Sequence, residues 1–90
     1  MKLTASATSN QIKMMKHAIG FEWSKVKRGK YIVWRNYFFL HSKDFEWEKL
    51  VDSGLAVKKE DGTGNVYYYV SDSGLEFLGG ILGVEIFKDI

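Results

Sequence analysis

Apolar and polar residues recur along this chain with two different periods. Ile12, Met15 and Ile19 stand at i, i+3 and i+7, Met14, Ala18 and Phe21 widen that stripe, and Lys13 and Lys16 face the other way. This predicts an amphipathic helix over residues 11–20. Ser9 or Asn10 is the expected cap, because either side chain accepts an orphan amide hydrogen of the first turn. Gly20 supplies the left-handed stop. Residues 22–30 read as a basic loop with a turn at Arg28-Gly29. Residues 31–40 are β-branched and aromatic, which favours a strand. Arg35-Asn36 interrupts that run and predicts a bend. His41, Ser42 and Lys43 form a loop. Asp44 or Ser42 then caps a second helix over 45–52, with Trp47, Leu50 and Val51 inward, ended by Ser53-Gly54.

Residues 55–60 and 66–70 alternate as strands and flank a Gly-rich turn, which predicts a hairpin. Ser71, Asp72 and Ser73 cap a short helix over 74–78, and Gly79-Gly80 is expected to break it. The apolar tail 81–90 either extends that helix or forms an edge strand. The fold class is therefore α+β: about three short helices with a two- or three-stranded antiparallel sheet in a winged-helix-like arrangement.

Length and composition narrow this further. The chain has 90 residues, which fits one domain over 9–90 behind a flexible N-terminus over 1–8. It has no cysteine, which excludes a disulfide framework and any thiolate metal site. No apolar run approaches a membrane span and no signal peptide opens the chain, so a cytoplasmic location is expected. His17 and His41 lack metal-ligand spacing, and neither a nucleophile elbow nor a phosphate loop occurs, so the expectation is a protein that is not an enzyme and takes no metal or cofactor.

Two resemblances add to this. Leu50-Val51-Asp52-Ser53-Gly54-Leu55, the polar hairpin tip, then Tyr67 to Gly74 with Leu75 and Leu78, resemble the second half of MarR-like and PadR-like winged-helix regulators. This covers about a third of the chain. Met14 to Gly20, Tyr31, Trp34-Arg35-Asn36-Tyr37-Phe38 and the wing-like end are similar to small phage and prophage proteins of unassigned role. The resemblance implies a phage accessory or early protein and carries over no established chemistry. One departure stands out: a helix-turn-helix needs two helices before the wing, and residues 21–43 offer basic loop and aromatic strand instead. The helix that would enter the major groove carries Asp44, Glu46, Glu48 and Asp52 against Lys49, and acids repel phosphates.

Charge is polarised along the chain. Residues 1–43 hold nine Lys or Arg and one acid; residues 44–90 hold four Lys and ten acids. Such asymmetry points to an anionic partner for the basic half, or to two halves that cancel on folding. Lys25, Lys27, Arg28, Lys30 and Arg35, interleaved with Trp23, Tyr31 and Trp34, are the candidate nucleic-acid contacts, with Lys58 and Lys59 of the wing beside them. The bland alternative is that the rings are core and the cations solvated. His17, Arg35 and Asn36 form a candidate polar cluster, either an anion site or a bridge between the first helix and residues 31–40. Tyr67 and Tyr69, on the face opposite Tyr68, are a candidate protein interface. The leading expectation is a winged-helix nucleic-acid-binding regulator or accessory factor of phage type. The alternative is an inhibitor or modulator of a host protein of the defence or transcription machinery.

Overall fold

The computed structural model describes residues 7–88. Helix α1 (Ser9–Ala18) begins at Ser9 itself, so its cap precedes both expected positions. Thr8 is the cap: its hydroxyl accepts from the Gln11 amide at 3.1 Å, and the Gln11 side chain accepts from the Thr8 amide at 2.9 Å. Only Thr8 has a Gln three residues on, so only there can both orphan donors be satisfied reciprocally. Of the flexible terminus expected over 1–8, residues 1–6 lie outside the described residues; Ala7 and Thr8 are placed, Ala7 against the core.

The run 31–40 does bend, and the bend divides it between two sheets. Strand β1 (Lys30–Val33) pairs in parallel with β5 (Glu85–Lys88). Strand β2 (Phe38–Leu40) pairs antiparallel with β4 (Val66–Val70), which also pairs with β3 (Ala56–Glu60), giving the order β2-β4-β3. Helix α2 (Phe45–Asp52) is capped by Asp44, whose carboxylate accepts from the Trp47 amide at 3.0 Å. The architecture is α+β, with three helices, a three-stranded antiparallel sheet and a parallel pair. That order is compatible with a winged helix, although a single helix stands between β2 and β3.

Helix α3 (Asp72–Leu82) corrects the expected break at Gly79-Gly80. It runs through both glycines and ends at Gly83. A side chain at 79 would sit 2.5 Å from the Val84 carbonyl oxygen, so the small residue there admits the returning chain rather than stopping the helix. The tail consequently does both things expected of it: residues 81–82 extend α3, and β5 lies along β1 with the Glu85 amide donating to the Gly29 carbonyl at 2.8 Å.

Met15, Ile19, Tyr31, Trp47, Leu50, Val66, Tyr68 and Leu78 fill the centre and are essentially inaccessible. Trp47 stacks on Tyr68 at 5.3 Å between centroids and 12° between planes, fixing α2 to β4. Tyr31 anchors β1 to the end of α1, its hydroxyl donating to the Gly20 carbonyl at 2.8 Å.

Candidate functional site

The end of α1 turns sharply because Gly20 adopts φ +64°. A Cβ there would lie 2.6 Å from the Trp34 ring, so the position has to be glycine for the indole to lie across it. Trp34 donates its indole N–H to the Gly20 carbonyl at 3.3 Å yet stays 54% exposed. Lys25, arriving on the 3₁₀ turn Trp23–Lys25, places its ammonium 5.1 Å from the Trp34 ring. The Arg35 guanidinium stands 5.3 Å from the Trp34 ring and 5.8 Å from that of Tyr37. Tyr37 is 49% exposed. An arginine is thus held between two accessible aromatic rings.

Arg35 is fixed by a 2.7 Å bond from Nη2 to the His17 carbonyl, at the C-terminal end of α1 where the helix dipole favours a cation. Its Nε is buried without a hydrogen-bond partner, and no described carboxylate lies within ion-pair distance of it. A depression of about 310 Å³ opens on each side of Arg35. Lys16, Phe21, Glu22 and Trp34 line one; Tyr37, Phe38 and Phe39 line the other. His17 borders both and packs edge-on against Phe38.

Lys27, Arg28 and Lys30 project from a two-residue turn in which Lys27 and Lys30 exchange backbone hydrogen bonds of 2.9 Å. Both central residues take positive φ, Arg28 at 54° and Gly29 at 75°. Gly and Asn suit such a turn; arginine in this region costs about 1–2 kcal/mol. The strained cation sits at the exposed tip, next to residues with no described ion-pair partner.

The other predicted residues separate. Lys58 pairs with Glu48 at 2.9 Å and with Glu60 at 3.6 Å, so its charge is answered within the fold. The Glu48 hydrogen bond holds its pKa above the usual lysine value. Lys59 is exposed on the opposite face of β3. The expected polar cluster divides: Arg35 meets His17, but Asn36 turns to β4, donating to the Val70 carbonyl at 2.9 Å and accepting from its amide at 2.8 Å. Tyr67 and Tyr69 are half-buried on the outer face of the sheet, where Phe39 packs 4.8 Å from Tyr67. Tyr37 and Phe39 were not singled out from the sequence. Their alternation with Phe38 was the available signal, masked by the uniformly aromatic run.

Two of the acids on α2 are tied down, Glu46 accepting from Gln11 at 2.8 Å and Glu48 from Lys58 and Tyr68, while Asp52 is exposed. A groove of about 780 Å³ between α3 and β5 is lined mainly by glycines and apolar residues with Asp72, Glu76, Glu85 and Lys88. Among the described residues no cluster of three potential metal ligands occurs, and no helix is long and apolar enough to cross a membrane. No protein family, curated protein or solved structure matches the chain.

Proposed function

We propose that this is a non-enzymatic nucleic-acid-binding protein, a regulatory or accessory factor of phage type acting in the host cytoplasm. The observation that carries the reading is the Arg35 guanidinium, without a described acidic partner, between the exposed rings of Trp34 and Tyr37. Such a grouping offers a charge to a phosphate and two π-faces to bases, and Lys25 with the Lys27–Lys30 tip extends the charge. The contact surface on this reading is the 16–37 region. It is not α2, which presents an exposed Asp52 and whose Glu46 and Glu48 are engaged by Gln11, Lys58 and Tyr68.

Anisotropy of labelled duplex and single-stranded oligonucleotides across a salt series tests this. Binding tighter than about 10 µM with a steep negative salt slope is expected, and Lys25→Glu with Lys27→Glu flattens the slope. No binding to any oligonucleotide at low salt rejects it. The second reading, a modulator of a host protein, is favoured by the exposed pair Ile32 and Phe87, which stand in register on the two-stranded β1–β5 sheet. A separate apolar contact of that kind fits a protein partner.

A further inference from the structure

We infer that the outer face of the β2-β4-β3 sheet continues this surface and takes the bases of a single strand, with Tyr37 as the joint between the two. The inference rests on the nucleic-acid reading above and names its substrate class. Register places Phe39, Tyr67 and Lys59 in one row across the three strands. Val57 pairs with Tyr69 in the next row, and the same register, carried one residue beyond β2, sets Tyr37 opposite Tyr69. Directly opposed residues share a face, so these six side chains lie together. Phe39, Val57, Lys59 and Tyr37 are exposed, and the two tyrosines of β4 are half-buried.

The chemistry of this face selects among occupants. Its rows contain four rings and one lysine and no acid. Glu60 falls on the other side, with Lys58 and α2. At one end Tyr37 meets the Arg35 guanidinium, and the depression lined by Arg35, Tyr37 and Phe39 makes the surface continuous. At the other end Phe39 packs against His41, in a row that the same register continues through Asn65 to the carboxylate of Asp61, where the acid-free face ends. Rows two residues apart are roughly 7 Å apart along the strands, so each presents its own rings. A sheet of aromatic rings edged by cations is how single-stranded bases are held by stacking with the phosphates outside. A duplex has its base faces covered and gains nothing from such rings.

The test uses the full chain and single-stranded oligonucleotides of about twelve nucleotides, with the matching duplex. Tyr69→Leu keeps apolar area and removes a ring; Lys59→Glu alters only an exposed charge and guards against misfolding of the first variant. Each is compared with Trp34→Ala. Expected is preference for the single strand, weakening on the order of tenfold in Tyr69→Leu, and a lower salt slope, by about one or more, in Lys59→Glu. Ultraviolet crosslinking of a bromouridine-substituted strand is expected to label Tyr67 or Phe39 as well as Trp34. If Trp34→Ala loses binding while Tyr69→Leu and Lys59→Glu bind normally, the sheet face is not part of the site and the inference fails while the Trp34 reading stands. Equal affinity for duplex and single strand also overturns it. Failure of the wild-type chain to bind any oligonucleotide removes both readings.

Discussion

The Tyr68 hydroxyl donates a 2.6 Å hydrogen bond to the Glu48 carboxylate and accepts one of 3.1 Å from the Asp44 amide. One phenol in the middle of β4 thereby ties down both the cap and the first turn of α2. With Trp47 stacked on the same ring, the attachment of this acidic helix to the sheet depends on Tyr68.

A pH dependence follows at both extremes. The Tyr68 bond, followed by Lys58, holds the Glu48 carboxyl below its ordinary value of 4.5. A depressed carboxyl contributes stability in full above its unfolded value, so this contribution is lost as pH falls below about 4.5. Burial, then the Glu48 bond, pushes Tyr68 up to about 12 from 10.0. A raised group contributes in full below its unfolded value, so stability falls between pH 10.0 and about 12. Tyr68→Phe is expected to cost about 1.5–3 kcal/mol at neutral pH and to flatten both limbs. Urea unfolding monitored by circular dichroism against pH checks this; unchanged limbs would contradict it.

Asn36 extends the β2–β4 ladder with its side chain. Its amide makes two hydrogen bonds to Val70, at the position the register assigns to residue 36. Asn36→Ala is expected to lose about 1–3 kcal/mol. Hydrogen exchange at the Val70 amide should speed up selectively, because that amide loses its acceptor.

Arg28 should be replaceable with a gain in stability. Arg28→Asn, at φ 54°, relieves part of the left-handed cost and is expected to raise stability by up to about 1 kcal/mol. The same change removes an exposed charge and should weaken oligonucleotide binding. Denaturant midpoints and salt-dependent anisotropy on the same protein separate the two effects.

Gly20→Ala probes the seat of Trp34. The new methyl meets the indole at 2.6 Å in a backbone of φ +64°, and a loss of at least about 1–2 kcal/mol is expected. Displacement of Trp34 should shift the tryptophan emission and weaken oligonucleotide binding beyond what the remaining folded fraction explains.

Local pattern was enough for much of the fold. The stripe Met15, Ala18 and Ile19, the Asp44 cap, the hairpin around residues 61–65 and the inward Tyr68 all depend on contacts within a few residues, and the period of the sequence reports them. Ser9, Asn10 and Thr8 are equivalent as acceptors, so the pattern alone places the α1 cap one or two residues late; Gln11 decides between them by reaching back. The Gly79-Gly80 pair misled for a related reason. The smallness of Gly79 answers Val84 and Ile86, which approach from outside the helix, and no local rule contains that approach.

For the candidate site, the sequence by itself determined the ingredients: a basic first half, rings interleaved with it, a bend at Arg35-Asn36, and an acidic α2 unsuited to phosphates. Tertiary structure alone decided their use. It cancelled Lys58 against Glu48, sent Asn36 to Val70 instead of His17, and held Arg35 between Trp34 and Tyr37. The physical reason is that charge and burial are set by neighbours across space. A lysine facing a carboxylate of the helix above it and a lysine facing water are the same letter, and only the packing of α2 on the sheet tells them apart.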